Sequence, residues 1–403
     1  MKRLSALLVC LLLLFAVFGS AQAQELPYTD SGAIRNADAV AMLTDLGLLE
    51  GSDDGAFHPE GILTRAEVAK LAALIISPEP AATEEVPFPD AERSWAADYI
   101  AFCYERGFVA GYDDGSFAPN EPVTARELVK MLLGAIGYDL SGMEGAGWDA
   151  ELDALADALA VYNGYDPDPG KVIRRDAAAR LILNVLNCNA IAGYEDGEPV
   201  VLTDDLLNPV SVLEHRFGVT RYRQTITANE YADLDNPGEH LDPGVTKLYG
   251  HYPMGFSSSW SDLGRTVTVY LRDGQVVGVP VFDPAEFCVT VGGATLDTVL
   301  RQGGYTLGAD TRIYLDAVQA GTEVLATLDE NDTVTLIDYE SDGEIDLVLV
   351  FRWQRCAVLQ NAPLVIETGS GSEVFPGQTA GGADEVLARK MGGVWVTTTV
   401  RGS

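Results

Sequence analysis

The 403 residues hold 26 Lys and Arg against 60 Asp and Glu, a formal net charge of -34. So acidic a chain excludes nucleic-acid binding by phosphate neutralisation and attraction to a bare anionic lipid surface. At this length two or three domains are expected.

The chain opens on Met1-Lys2-Arg3, an apolar run from Leu4 to Phe18, and the small-x-small sequence Ala21-Gln22-Ala23. This is the pattern of a secretory signal peptide over 1–23, and the run is too short to favour a spanning helix. Its removal takes Lys2 and Arg3 away and moves the net charge from -34 to -36. No later run reaches spanning length, and the closing "VTTTVRGS" has no hydrophobic sorting tail, so an exported chain with no membrane span or covalent anchor is expected. Cys103, Cys188, Cys288 and Cys356 would remain. An even number in an exported chain permits disulfides, although burial as small apolar side chains is the commoner fate of so sparse a set.

Behind the leader, "GSDDGAFHPEGILTRAE" at 51–67 returns sixty residues later as "GYDDGSFAPNEPVTARE". Asp-Asp-Gly is turn chemistry, Pro59 and Pro119 fix the backbone after it, and Phe57 and Phe117 are apolar side chains in otherwise polar loops. Thr64 with Glu67, and Thr124 with Glu127, form capping boxes. Behind each comes an amphipathic helix, with Val68, Leu71, Ala72 and Ile75 on one face of the first and Leu128, Met131, Leu132 and Ala135 on one face of the second. A third set, Ala178, Leu181, Ile182 and Val185, follows a shorter loop in which Arg174 stands where the capping Thr belongs. Helical stretches at Ala37–Leu46, Trp95–Glu105 and Trp148–Leu159 precede the three, and Gly47 and Gly107 stop the first two. A helix pair this short cannot bury its apolar face alone, so the copies at 28–80, 86–140 and 145–192 must pack on each other.

Three copies of helix, "GxxDGxFxP", "TRAE" and helix behind a signal peptide resemble the S-layer homology domain family. "FPDAERSWAADYI" in the second copy is similar to the family's opening phrase, and Tyr28-Thr29-Asp30 approximates it in the first. The resemblance implies that the N-terminal part is an all-α pseudo-threefold bundle of three helix-loop-helix repeats; with the β-like runs that follow it, an α+β multidomain chain is expected. The resemblance also implies non-covalent attachment to the cell wall through secondary cell-wall polysaccharide bound in grooves between repeats. Carried over to this chain, the groove residues are Asp30, Arg65, Asp90 and Trp95, with Arg126 and Arg175 as the other arginines. A guanidinium fork suits a carboxylate on a sugar. The second copy departs from the pattern: it reads T-A-R-E, so Arg126 sits one residue late, a rotation of about 100° along a helix. One or two competent grooves are therefore expected.

A linker is expected at 193–210. From 211 to 366 the helical period gives way to alternating, β-branched runs, read as one or two mostly antiparallel β modules, with Asp273-Gly274 as a hairpin turn. Residues 367–403 read as a Gly-rich tail. The four histidines form no HExxH or paired metal pattern, and no GxSxG occurs, so no enzyme is read. Asp338, Glu340, Asp342 and Asp346 fall at ligand positions of a calcium loop, with Leu349 where its closing Glu belongs; a hairpin turn with solvated acids is the alternative. The expectation is a secreted, wall-anchored structural surface protein, with other surface-layer subunits as possible partners. An anchored adhesin and an anchored polysaccharide-active enzyme stand as alternatives.

Overall fold

A computed structural model describes residues 26–82, 85–143 and 145–398; the expected signal peptide lies outside them. Two compact units are present. One takes the described residues of 24–222 together with Val269–Val279, and the other takes Arg223–Thr268 and the described residues from Pro280 on.

The first unit is helical. Its three pairs are α1 (Ala37–Asp45) and α2 (Arg65–Ile76), α3 (Ala97–Glu105) and α4 (Ala125–Ala135), and α5 (Trp148–Ala158) and α6 (Arg175–Leu186). Both capping boxes form: Thr64 and Thr124 each accept from the amide three residues on, and Glu67 and Glu127 each accept from the cap residue's own N–H. Arg174 starts α6 with no side-chain cap. Gly47 and Gly107 take φ of +70° and +75° just beyond α1 and α3, whereas Ala160 is forced to +57° at the matching place after α5. The amide after each stop closes the helix in the same way: Leu48 on Leu43, Phe108 on Cys103 and Val161 on Ala156.

Backbone bonds link the pairs in a cycle. The first two amides of α2, Arg65 and Ala66, donate to Glu121 and Pro119 in the second repeat. Those of α4, Ala125 and Arg126, donate to Lys171 and Pro169 in the third, and those of α6, Arg175 and Asp176, return to Gly61 and Pro59 in the first. Helix-start amides have no partner within their own helix, so each repeat supplies what its predecessor lacks. One apolar core runs through all three pairs, with Phe57, Phe117, Leu128, Leu132 and Ile182 fully buried.

Residues expected as a linker instead hold a hairpin, β1 (Ile191–Glu195) with β2 (Glu198–Val201). A short helix, α7 (Val212–Phe217), capped by Ser211, follows it. Val212 and Leu213 belong to the helical core, so the longer β strands begin at Val219 and not at 211.

The second unit is built of β-sheets. One five-stranded sheet has the order β7-β10-β11-β8-β9, from Phe287–Gly292, Asp332–Asp338, Glu344–Arg352, Thr306–Leu315 and Val318–Ala320. Its pairs are antiparallel except β11 with β8, which is parallel. α8 (Leu296–Gly303) contributes Leu296 to the core on one face. The second five-stranded sheet corrects the expectation of a loose tail. Within it β12 (Gln354–Gln360), β13 (Leu364–Thr368), β14 (Gly371–Phe375), β15 (Glu385–Met391) and β16 (Val394–Thr398) pair antiparallel in the order β14-β13-β12-β15-β16. Ile366, Phe375, Val386 and Ala388 are buried there. The Gly- and Ser-rich composition marks two tight turns and the crossing between strands. β3 (Val219–Ala228), β4 (Lys247–Leu248), β5 (Thr266–Arg272) and β6 (Gln275–Phe282) form a further sheet. Asp273 and Gly274 at φ of +52° and +77° make the β5–β6 turn.

Candidate functional site at the repeat boundaries

The aspartates expected at the repeat openings are both committed to backbone. Asp30 accepts from the amides of Phe57 and His58 at 2.8 and 2.9 Å. Asp90 does the same for Phe117 and Ala118 at 2.9 and 2.8 Å. His58 and Ala118 have φ of +56°, a conformation a non-glycine residue keeps only when held. Each carboxylate thus pins a strained turn ahead of Pro59 or Pro119. The Phe57 amide, above all, holds the Asp30 carboxyl below its ordinary range.

The arginines arrive from the neighbouring repeat. Arg65, first residue of α2, donates from Nε to the Phe117 carbonyl at 2.8 Å and from Nη2 to the Ala110 carbonyl at 3.2 Å. Its guanidinium lies 4.7 Å from the Tyr112 ring centroid and 4.8 Å from that of Phe117. Arg175, first residue of α6, repeats this on the first loop: Nε to Phe57 at 3.0 Å, Nη2 to Glu50 at 3.1 Å, and 4.9 Å over the Phe57 ring. Arg65 and Asp90 therefore grip the two ends of one peptide residue, Phe117, and Arg175 and Asp30 grip Phe57. The partners are set by the boundary and not by the repeat. Arg65 is only 7% exposed, while Arg175 is half-buried.

The second repeat builds something else. Ala125 fills the buried position and Arg126 turns to Asp153 of α5, with Nε to Oδ1 at 3.0 Å and Nη2 to Oδ2 at 2.6 Å. Asp153 also accepts from the Tyr162 hydroxyl at 3.0 Å. The bond to Arg126 is the main cause that holds the Asp153 carboxyl below its usual range and raises Arg126 above its own. The third loop has Pro167 and Asp168 where Phe57 and His58 stand in the first, and a proline has no amide for a carboxylate to hold. The 2–3 boundary therefore carries a bidentate ion pair in place of the Asp–Phe–Arg clamp.

The 3–1 boundary carries a further latch that the sequence reading missed. Asp176 accepts from the amides of Arg35 and Asn36, both at 3.0 Å, and from Asn36 Nδ2 at 2.8 Å. One turn on, Arg180 bonds Asn36 and Asp38. The matching residues of α2 are Ala66 and Lys70. Trp95 stands 60% exposed, edge-on to Tyr99 at 6.5 Å. A cavity of 690 Å³ among the described residues is lined by Pro80, Ala82, Val86, Glu85, Glu92 and Asp98, and holds none of the expected residues. Its three carboxylates suit no anionic ligand.

The calcium-loop positions are a hydrogen-bonded turn. Asp338 is buried and spends both oxygens on the amides of Glu340, Asp342 and Gly343. Asp346 accepts from Tyr339 and Asp342 from Glu344. Among the described residues no group of three or more His, Cys, Asp or Glu could hold a metal ion. Among the described residues all four cysteines are free. Burial pushes Cys103 and Cys188 up to about 12. No described helix is long and apolar enough to cross a membrane.

The family model of the S-layer homology domain matches residues 27–69 and 87–124, the segments that carry both Asp–Phe–Arg clamps' aspartates and phenylalanines. The chain is 33% identical over 125 residues to the surface-layer 125 kDa protein of Lysinibacillus sphaericus, covering 31% of this chain and 10% of that protein. It is 26% identical over 248 residues to a cell surface protein of Thermoanaerobacter kivui, covering 59% and 32%. It is 29% identical over 98 residues to the cellulosome-anchoring protein of Acetivibrio thermocellus, covering 23% and 22%. The chain thus spans a third or less of the length of these relatives. The repeats, their clamps and these likenesses together identify a secreted cell-surface protein that carries S-layer homology domains.

Proposed function

We propose that the helical unit is a pseudo-threefold bundle of three repeats that attaches the protein non-covalently to secondary cell-wall polysaccharide. The ligand class is an acidic, carboxylate-bearing polymer. It is met at the 1–2 and 3–1 boundaries by Arg65 and Arg175, with Trp95 offering an aromatic wall. Asp30 and Asp90 set the loops that position those arginines. Arg126 is tied to Asp153 and takes no part. The observation that carries this reading is the repetition of one clamp, Arg65–Phe117–Asp90 and Arg175–Phe57–Asp30, across two boundaries within stretches that match the S-layer homology domain. Each guanidinium is held by two carbonyls and an aromatic face, so its geometry is fixed before a ligand arrives. The overall role is structural, of the surface-layer type, with binding and no catalysis; the names of the surface-layer and anchoring relatives favour it.

The test is co-sedimentation of the chain from Gln24 onward with wall sacculi. It should pellet with sacculi that retain their polymer and stay in solution once the polymer is stripped. Arg175→Ala and Arg65→Ala should weaken pelleting, and Arg126→Ala should not. Equal pelleting before and after stripping, or the largest loss from Arg126→Ala, would sink the proposal.

A further inference from the structure

The helical unit includes a piece of chain far from its repeats. Val269–Val279, the turn half of the β5–β6 hairpin, belongs with the helices. Tyr270 is 7% exposed and part of the helical core, with Val277 packed against it. The Tyr270 hydroxyl accepts from Asn187 Nδ2 at 3.2 Å, and Asn187 is the residue that ends α6. On the other strand the Gly278 amide donates to Asp45 Oδ2 at 2.9 Å, and Asp45 is the last residue of α1. Gly278 has φ of +66°, and a Cβ there would lie 3.0 Å from Met42 Cε and 3.6 Å from Met42 Cα. The left-handed φ is what favours glycine here, and an added Cβ would also press on the end of the Met42 side chain.

Both helices touched are those of the 3–1 boundary. Asp176 and Arg180 latch the start of α1 to α6. The hairpin ties the far ends of the same two helices, Asp45 to one strand and Asn187 to the other. At the 1–2 boundary Ala66 and Lys70 replace the first latch.

We infer that the hairpin tip is a strap that holds the 3–1 boundary closed, with Tyr270 and Gly278 as positioning residues for the Arg175–Phe57–Asp30 clamp. The inference rests on the polymer-binding reading for its functional part only. The strap itself is read from Asp45, Met42, Asn187, Tyr270 and Gly278. Attachment at this boundary then depends on residues some eighty positions beyond the last repeat. By linkage, polymer bound there protects the strap in return.

The experiment is amide hydrogen exchange on the whole chain from Gln24, wild type against Gly278→Ala and Asp45→Ala, with sacculus pelleting in parallel. Exchange in α1 should quicken by about tenfold, the scale of one lost buried hydrogen bond, while α3, the matching helix of the second repeat, keeps its rate. Pelleting by both variants should weaken. Unchanged α1 exchange in both variants overturns the strap, as does equal quickening in α1 and α3. Faster α1 exchange with undiminished pelleting overturns its link to attachment. If the wild type itself fails to pellet, the polymer reading falls, and the exchange comparison alone decides the strap.

Discussion

Arg126→Ala separates what folds the repeats from what they bind. The wild-type pair is bidentate, at 3.0 and 2.6 Å, with side chains 18% and 27% accessible. A fully exposed pair contributes about 0–1 kcal/mol, and breaking a fully buried one costs about 3–5 kcal/mol. Water reaches both groups here, so the loss should lie near the low end between them, about 1–2 kcal/mol. The pH dependence has a definite sign. Asp153 titrates below its ordinary value of 3.8 because Arg126 donates to it. Its contribution is therefore present above that value and fades as pH falls through the depressed one. Urea unfolding followed by far-UV circular dichroism should show the full deficit near neutral pH and a shrinking one below about pH 4. A double-mutant cycle with Asp153→Ala should return a coupling of about 1 kcal/mol. A coupling indistinguishable from zero, or a deficit as large at about pH 2 as at neutrality, would refute the argument.

The third repeat can be repaired. Ala160→Gly relieves a left-handed residue and Arg174→Thr restores a cap, at the expense only of an exposed pair with Glu60; each should add about 0.5–1 kcal/mol, read as a raised melting temperature. The Asp338 turn should be indifferent to metal. Melting in EDTA and in millimolar calcium should coincide, and Asp338→Ala should cost about 1–3 kcal/mol in both, because it strands three amides.

Much of the helical unit was legible because its signals are local. Thr64 to Glu67, Asp54 to Gly55 and Gly47 after α1 each act within a few residues of chain. The displaced Arg126 was legible too, since a one-residue shift on a helix is a known rotation. Its partner was not: nothing in the sequence singles out Asp153 among 60 acidic residues. The pairing of Arg175 with Phe57 spans 118 positions, and that of Gly278 with Asp45 spans 233. Such contacts depend on which surfaces meet after the repeats close, which no spacing rule encodes. The strands from Leu364 to Thr398 were hidden for another reason. Glycine and serine dominate their turns, and β13 and β14 are held by backbone pairing that composition does not report.

The cycle of helix-start bonds also fixes how many copies there can be. A linear stack can gain or lose a unit and keep its other contacts. Here the chain of donors and acceptors returns to its origin, so there is no end unit to add to or trim. Without the third copy, the Ala125 and Arg126 amides face no Lys171 or Pro169, and the Gly61 and Pro59 carbonyls lose their donors. A fourth inserted after it would part Arg175 from Phe57. The copy with neither capping threonine nor glycine stop is thus the keystone of an arch: it can be roughly cut, but it cannot be left out.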